Sequence, residues 1–276
     1  MCSICGCDES NKNPGAKSQN NHKHHYGFLN KESSDNGGES STLIEVERSI
    51  LSKNDLYAEK NRSWFEANGH LVLNLVSSPG AGKTTLLVET IKALSGRYSI
   101  GVIEGDQETA NDAERIRETG VSAVQINTGS GCHLDAHMVG HAVEDLPAMS
   151  KAILFVENVG NLVCPASFDL GESAKVVILS STEGDDKPLK YPDMFAAAAT
   201  MVLSKTDLLP YVDFNADKAI ENALAINPDL NCIKVSSNTG EGMYDWLNWI
   251  EVKAAKAAAA RSKNPNLVPS LKHHHA

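Results

Sequence analysis

Nine consecutive residues, Ser77-Ser78-Pro79-Gly80-Ala81-Gly82-Lys83-Thr84-Thr85, constrain this chain more than any other stretch. They follow the apolar run Leu71–Val76 and precede a helical run. A tight glycine-rich turn between strand and helix points backbone N–H groups at one spot, at the positive end of the helix dipole, and so cradles phosphate. In that frame Gly80, Ala81 and Gly82 make the turn, Lys83 neutralises the β- and γ-phosphates, and Thr84, with Thr85 beside it, brings a hydroxyl to Mg²⁺. Ser77 stands where the usual pattern has its first glycine. An ordinary glycine-containing turn is the alternative, and the Gly-Lys-Thr-Thr run in this context argues against it.

Such a loop needs a parallel sheet around it, and the chain supplies one. Apolar runs at Leu71–Val76, Ser99–Ile103, Ala123–Ile126, Ala152–Val156, Lys175–Leu179, Ala199–Leu203 and Cys232–Val235 alternate with helical stretches. Near-continuous apolar runs of that length are strands covered on both faces, so the expected class is α/β, a parallel sheet flanked by helices. Residues 1–40 are rich in Ser, Asn, Gly, Lys and His and are read as a flexible tail. An amphipathic helix over 41–66 packs on a nucleotide-binding domain at 67–254, and a polar tail occupies 255–276.

Acidic residues at later strand ends complete the site, because ligands of open α/β sheets bind outside the carboxyl ends of the strands. Asp106 is placed to orient an attacking water or to help hold Mg²⁺. Glu157 suits the metal-side carboxylate, and Gly160 can sense the γ-phosphate through its N–H. The alternative for both carboxylates is helix capping. The run Leu203-Ser204-Lys205-Thr206-Asp207 selects the base. A carboxylate at Asp207 accepts from N1–H and the 2-amino group of guanine, which adenine lacks, so GTP is favoured over ATP. Lys205 belongs to the same motif, and the run Val235-Ser236-Ser237, with Ser236 at its centre, is positioned to offer a backbone contact to the base oxygen.

A second chemistry is written in sulfur and imidazole. Cys2, Cys5 and Cys7 form a C-x-x-C-G-C cluster suited to Ni²⁺ or Zn²⁺, the alternative being unpaired surface thiols. His22, His24 and His25 form a weaker cluster. Cys132, His133 and Cys164 provide a further soft-metal set, the alternative being buried structural cysteines. Because Cys164 lies four residues past Gly160, loss of the γ-phosphate should move both together. His137 and His141 follow His133 at helical spacing, Cys232 lies in an apolar run, and His273–His275 are set aside. The formal net charge of -10 argues against a nucleic-acid partner. No apolar stretch reaches about 18 residues and no signal peptide is evident, so no membrane span is expected. The expected location is the cytoplasm, where the six cysteines stay reduced.

The runs Glu104–Ala113, Gly129–Ala136, Glu157–Phe168 and Glu183–Pro192 together resemble the HypB family of nickel-insertion GTPases of hydrogenase maturation, over about residues 40–250. The resemblance implies a SIMIBI-type G domain in a metallochaperone that hydrolyses GTP to GDP with Mg²⁺. It also implies a homodimer that helps load nickel into [NiFe] hydrogenase. It assigns Cys132, His133 and Cys164 to a Zn²⁺ or Ni²⁺ site at the dimer interface, and Cys2, Cys5 and Cys7 to a tight nickel site. A zinc-containing maturation partner and the hydrogenase large subunit are the implied partners. The rivals are a urease-accessory nickel GTPase, disfavoured because Cys132-His133 replaces its Cys-Pro-His motif, and a non-catalytic nickel store, disfavoured by Lys83, Thr84, Asp106 and Asp207.

Overall fold

All seven apolar runs are strands of one sheet. The computed structural model describes residues 37–106, 111–129 and 131–263. Cys2, Cys5, Cys7, His22, His24, His25 and His273–His275 lie outside the described residues. Among the described residues, those from Leu51 onward belong to one compact unit and those up to Ile50 to another, and helix α1 spans Gly37–Asn68.

The strands are β1 (Leu71–Ser77), β2 (Ile100–Asp106), β3 (Ser122–Asn127), β4 (Ile153–Gly160), β5 (Ala174–Ser180), β6 (Thr200–Ser204) and β7 (Asn231–Lys234). They pair in the order β3-β2-β4-β1-β5-β6-β7, every neighbour parallel. The connecting helices are α2 (Lys83–Leu94), α3 (Asn111–Arg117), α4 (Ala136–Glu144), α5 (Cys164–Ser167), α6 (Lys187–Lys190), α7 (Pro192–Ala197), α8 (Ala216–Ile226) and α9 (Met243–Lys263), with a 3₁₀ turn at Thr206–Tyr211. β4 inserts between β1 and β2, so residues far apart in sequence meet at the carboxyl edge.

Period-2 alternation sends β1 to two cores at once. Leu71, Leu73 and Leu75 pack with Leu86, Leu87 and Ile91 of α2 and with Trp246 and Ile250 of α9. Val72, on the opposite face, joins Val139, Leu154 and Val156. Each such side chain contributes about 1.5–3 kcal/mol on burial. Trp246 also donates from Nε1 to Thr90 Oγ1 at 2.8 Å, so its one polar atom is satisfied inside the core.

The two helices at the ends differ from expectation. In α1 the buried line is Asn54, Ala58, Asn61 and Phe65, one residue per turn, while Leu56 is exposed. Two of those four are asparagines that bond main-chain groups, so hydrophobicity alone could not locate the buried face. Asn54 accepts from the Ala136 N–H and donates to the Asp169 carbonyl, and Asn61 donates to the Ala136 and Leu170 carbonyls. At the other end, the Ala- and Lys-rich stretch read as the start of a tail continues α9 to Lys263. Alanine and lysine are strong helix formers, which accounts for the extension.

Candidate nucleotide and metal site

The phosphate loop closes between β1 and α2. Gly80 and Gly82 have φ of 72° and 93°, a left-handed backbone that glycine adopts without steric penalty. Gly82 ends the turn as the residue before α2, with no side-chain cap on the helix. The first N–H groups of α2 therefore remain to meet an anion. Lys83 Nζ donates to Ser77 Oγ at 2.9 Å, and Ser77 Oγ donates to the Ser78 carbonyl at 2.6 Å. Ser77 is thus tolerated in the glycine position because it is the buried last residue of a strand, with an extended backbone.

Beneath the loop two carboxylates stand side by side. β2 and β4 pair Glu104 with Glu157, both buried. Thr84 Oγ1 donates to Glu157 Oε1 at 2.7 Å, whereas Glu104 Oε2 and Glu157 Oε2 are buried without a hydrogen-bond partner among the described residues. Burial, and then repulsion from Glu157 and Asp106, pushes Glu104 up to about 8. Burial pushes Glu157 up to about 7 against the pull of Lys83 and the Thr84 hydroxyl. Burial lowers the Lys83 pKa, offset in part by Glu157, Asp112, Glu183 and Glu104. Orphaned buried oxygens beside a hydroxyl are what a hydrated Mg²⁺ requires, so the residues fit that ion.

This pair sets a pH dependence. Both carboxyls bind protons more tightly folded than unfolded, so their stabilising contribution is complete below about 4.5 and is lost as pH rises through 7 to 8. His70 runs the other way: burial lowers it to about 4, so its contribution is complete above 6.5 and falls away toward acid. Between about pH 6.5 and 8.5 these two carboxyls therefore pull stability down as pH rises. Calorimetry of the nucleotide- and Mg²⁺-free protein should give a Tm that falls over that window, and Mg²⁺·GDP should flatten the fall. A Tm that rises instead would mean that the carboxyls are already ionised.

The base-binding end is braced to the phosphate loop. Ser204 Oγ donates to the Ala81 carbonyl at 2.7 Å and Lys205 Nζ to the Gly80 carbonyl at 2.7 Å. Lys205 itself takes a φ of 57°. A groove of about 200 Å³ lies between Ala81, Gly82, Lys205, Asp207, Ser237 and Asn238. Ser236 Oγ donates to Asp207 Oδ1 at 2.7 Å, and Asn238 Nδ2 lies 3.5 Å from Oδ2. The Ser236 N–H already donates to the Glu241 carbonyl at 2.9 Å, so within the run Val235–Ser237 it is Ser237, which lines the groove, whose backbone faces the base position. The part of Ser236 is to aim Asp207.

Cys132, His133 and Cys164 converge as expected, one ligand atom from each within 4.8 Å of the others, all three residues half-buried. Cys132 Sγ lies 3.0 Å from Cys164 Sγ and 3.5 Å from His133 Nδ1. Burial lowers the His133 pKa despite Asp135, which favours the neutral imidazole a metal needs, and Phe168 packs on the ring at 3.9 Å. Two thiolates and one imidazole suit Zn²⁺ or Ni²⁺ and leave a coordination position open. His137 and His141 bring their Nε2 atoms to 3.1 Å one turn apart on α4. Burial raises the Cys232 thiol in β7, as suits a packed residue.

One segment joins the two chemistries. A Cβ on Gly160 would lie 2.9–3.1 Å from Pro79, so only glycine lets the end of β4 rest on the phosphate loop. The next residue, Asn161, donates from Nδ2 to the Cys132 carbonyl at 3.1 Å and accepts from the Val163 N–H at 2.9 Å. Sequence reasoning missed Asn161, Glu104, Asp112 and Arg115. Arg115 pairs with Asp112 at 3.3 Å and donates to Thr85 Oγ1 at 3.2 Å, which holds α3 against the loop.

Comparison with known proteins agrees with this geometry. The profile of the family described as CobW/HypB/UreG, nucleotide-binding domain, matches residues 71–234. Hydrogenase maturation factor HypB of Rhizobium leguminosarum bv. viciae is 66% identical over 221 residues, covering 80% of this chain and 74% of that protein. The protein of that name from Cupriavidus necator is 44% identical over an alignment 328 positions long, gaps included, covering 94% of this chain and 91% of that protein. The crystal structure of HypB from Helicobacter pylori in complex with nickel superposes with a TM-score of 0.70 at 39% identity, over 74% of this chain and 96% of that one. That of the Archaeoglobus fulgidus factor superposes with a TM-score of 0.68 at 37% identity, over 74% and 99%. With the phosphate loop, the guanine-type motif and the Cys-His-Cys group carried on the loops and helix starts of one parallel sheet, the chain belongs to the hydrogenase maturation factor HypB family.

Proposed function

We propose that the protein is a GTP-hydrolysing nickel chaperone that helps insert nickel into [NiFe] hydrogenase. The observation that carries this reading is Asn161. It stands one residue past Gly160, which rests on the phosphate loop, and it holds the carbonyl of the metal-site residue Cys132. A γ-phosphate that draws the Gly160 N–H toward itself pulls on Asn161 and Cys164 together, so nucleotide state and metal geometry share one lever.

In the reaction, the N–H groups of Gly80–Thr84 and Lys83 bind the phosphates, and Asp207 fixes the guanine. Thr84, Glu157 and Glu104 would hold the Mg²⁺, whose charge offsets that of the phosphates. Asp106, with Asp112 on the facing helix, orients the water that attacks the γ-phosphorus, and GDP and phosphate leave. Release of Gly160 then relaxes the thiolate pair and favours transfer of nickel. A second copy of the chain completing the open coordination position fits a homodimer, and a zinc-containing maturation protein and the hydrogenase large subunit are the expected recipients. Among the described residues no helix is long and apolar enough to cross a membrane. Reduced thiols at Cys132 and Cys164 suit action in the cytoplasm.

The test is Ni²⁺ and Zn²⁺ affinity of the full chain carrying Cys2→Ala, Cys5→Ala and Cys7→Ala, with GDP and with a non-hydrolysable GTP analogue. Affinities that differ between the two states are expected, and Cys164→Ala should cost more than roughly 100-fold in each, above the range for loss of an outer-shell partner. Equal affinities in both states would remove the coupling from this reading. Indifference to Cys164→Ala would remove the site.

A further inference from the structure

A chain of buried polar side chains runs beneath the metal group and takes no part in the mechanism above. Asn158 Oδ1 accepts from the Leu134 N–H at 3.1 Å and from the Val159 N–H at 3.0 Å. Its Nδ2 donates to Asn74 Oδ1 at 3.3 Å, and Asn74 Nδ2 donates to Glu172 Oε1 at 3.1 Å. Glu172 Oε2 accepts from the Leu170 N–H at 2.7 Å, and Lys175 Nζ lies 3.8 Å from Oε1. Lys175 then donates to the Pro165, Ala166 and Phe168 carbonyls at 2.7, 3.2 and 3.2 Å. All four side chains are buried.

The ends of this chain are informative. One closes on the N–H of Leu134, the residue after His133, and the other on the carbonyl of Pro165, the residue after Cys164. Between them Asn158 follows Glu157, the carboxylate beside Thr84. A buried lysine is costly unless its ammonium is satisfied, and here the three acceptors are main-chain carbonyls of the one segment that follows Cys164, so satisfying the charge also holds that segment. The segment that follows Cys164 has only a single helical turn of its own, α5, so the ammonium supplies the order that local structure does not.

We propose that Asn158, Asn74, Glu172 and Lys175 are positioning residues for the soft-metal site. Together they fix the spacing between the His133 loop and the Cys164 loop and tie that spacing to the strand that carries Glu157. This rests on the reading of Cys132, His133 and Cys164 as a nickel site. Lys175 is the member furthest along the chain from the nucleotide residues and the one whose removal frees the Cys164 loop. Outer-shell partners that orient metal ligands typically change affinity by roughly 10–100-fold when lost.

The experiment uses the full chain in the Cys2→Ala/Cys5→Ala/Cys7→Ala background, with Ni²⁺ titrated by following thiolate-to-nickel absorption. Lys175→Met is expected to weaken Ni²⁺ by roughly 10–100-fold and to alter the absorption envelope, with Mg²⁺·GDP affinity unchanged within about twofold. Lys175→Arg, which keeps the donors, should recover most of the loss. Because Lys175→Met strands the Glu172 carboxylate, the double variant Lys175→Met/Glu172→Gln is made as well. It should regain thermal stability while Ni²⁺ affinity stays low, and if it regains both, the chain is structural only. Should both variants fail to fold, hydrogen exchange of the parent decides. Peptides containing Leu134 and Leu170 should gain protection together on Ni²⁺ addition, and independent responses would overturn the proposal. If the parent itself binds no Ni²⁺ that Cys164→Ala abolishes, the nickel-site reading has failed. If it binds and Lys175→Met leaves affinity and absorption unchanged, this proposal has.

Discussion

Asp207→Asn is expected to lower GTP affinity by roughly 10²–10⁴-fold while leaving the weak affinity for ATP where it was. On the proposed reading the carboxylate accepts two hydrogen bonds from guanine, and charge-assisted bonds of that kind contribute about 1.5–3 kcal/mol each. Asparagine keeps the shape but turns one acceptor into a donor that meets a donor of the base. Xanthosine triphosphate, with an oxygen in place of the 2-amino group, should bind the variant better than GTP does. Ser236 and Asn238 hold the side chain from the far side, so the substitution changes the chemistry of the groove and not the aim of the residue. Competition against a fluorescent guanine nucleotide measures all three affinities. A variant that still prefers GTP to ATP by the parental ratio would place base recognition elsewhere.

The second large effect is expected at Lys83. Lys83→Ala removes the cation that meets the β- and γ-phosphates, and loss of one such group typically costs roughly 10²–10³ in turnover. It also removes the charge that moderates Glu157 and Glu104. The two carboxyls should then hold their protons to still higher pH, and the decline of Tm with pH should move upward by a measurable step. Single-turnover phosphate release reads the first effect and calorimetry reads the second. Turnover that survives intact would show that the loop binds nucleotide without using Lys83 in the reaction.

Much of this was legible from the chain because its signals are local. A strand covered on both faces is apolar at most of its positions, as at Leu71–Val76 and Lys175–Leu179 apart from Asn74 and Lys175, and all seven runs became strands. The phosphate loop is contiguous, and so are Cys132 and His133. What escaped notice depends on strand order. Glu104 reads as one more acid at a strand end until β4 is placed beside β2 and sets Glu157 against it. Asn158 and Lys175 are ordinary letters whose meaning emerges only when β1, between β4 and β5, brings Asn74 into line with both. The division of roles between Ser236 and Ser237 stayed hidden for a similar reason, since Glu241, the partner of the Ser236 N–H, lies across a turn whose hydrogen bonds sequence does not specify.

The two carbonyls of Ala81 and Gly80 that receive Ser204 and Lys205 carry a kinetic consequence. They make the floor of the base groove and the rim of the phosphate cradle parts of a single stiff bracket. On the proposed reading, a nucleotide with the wrong base offers Asp207 no donors beyond Ser236 and Asn238, and a misfit in the groove reaches, through Lys205, the amides that grip the triphosphate. Discrimination against such a nucleotide should therefore be divided between KM and kcat, with the misfit molecule held loosely and also hydrolysed slowly once held.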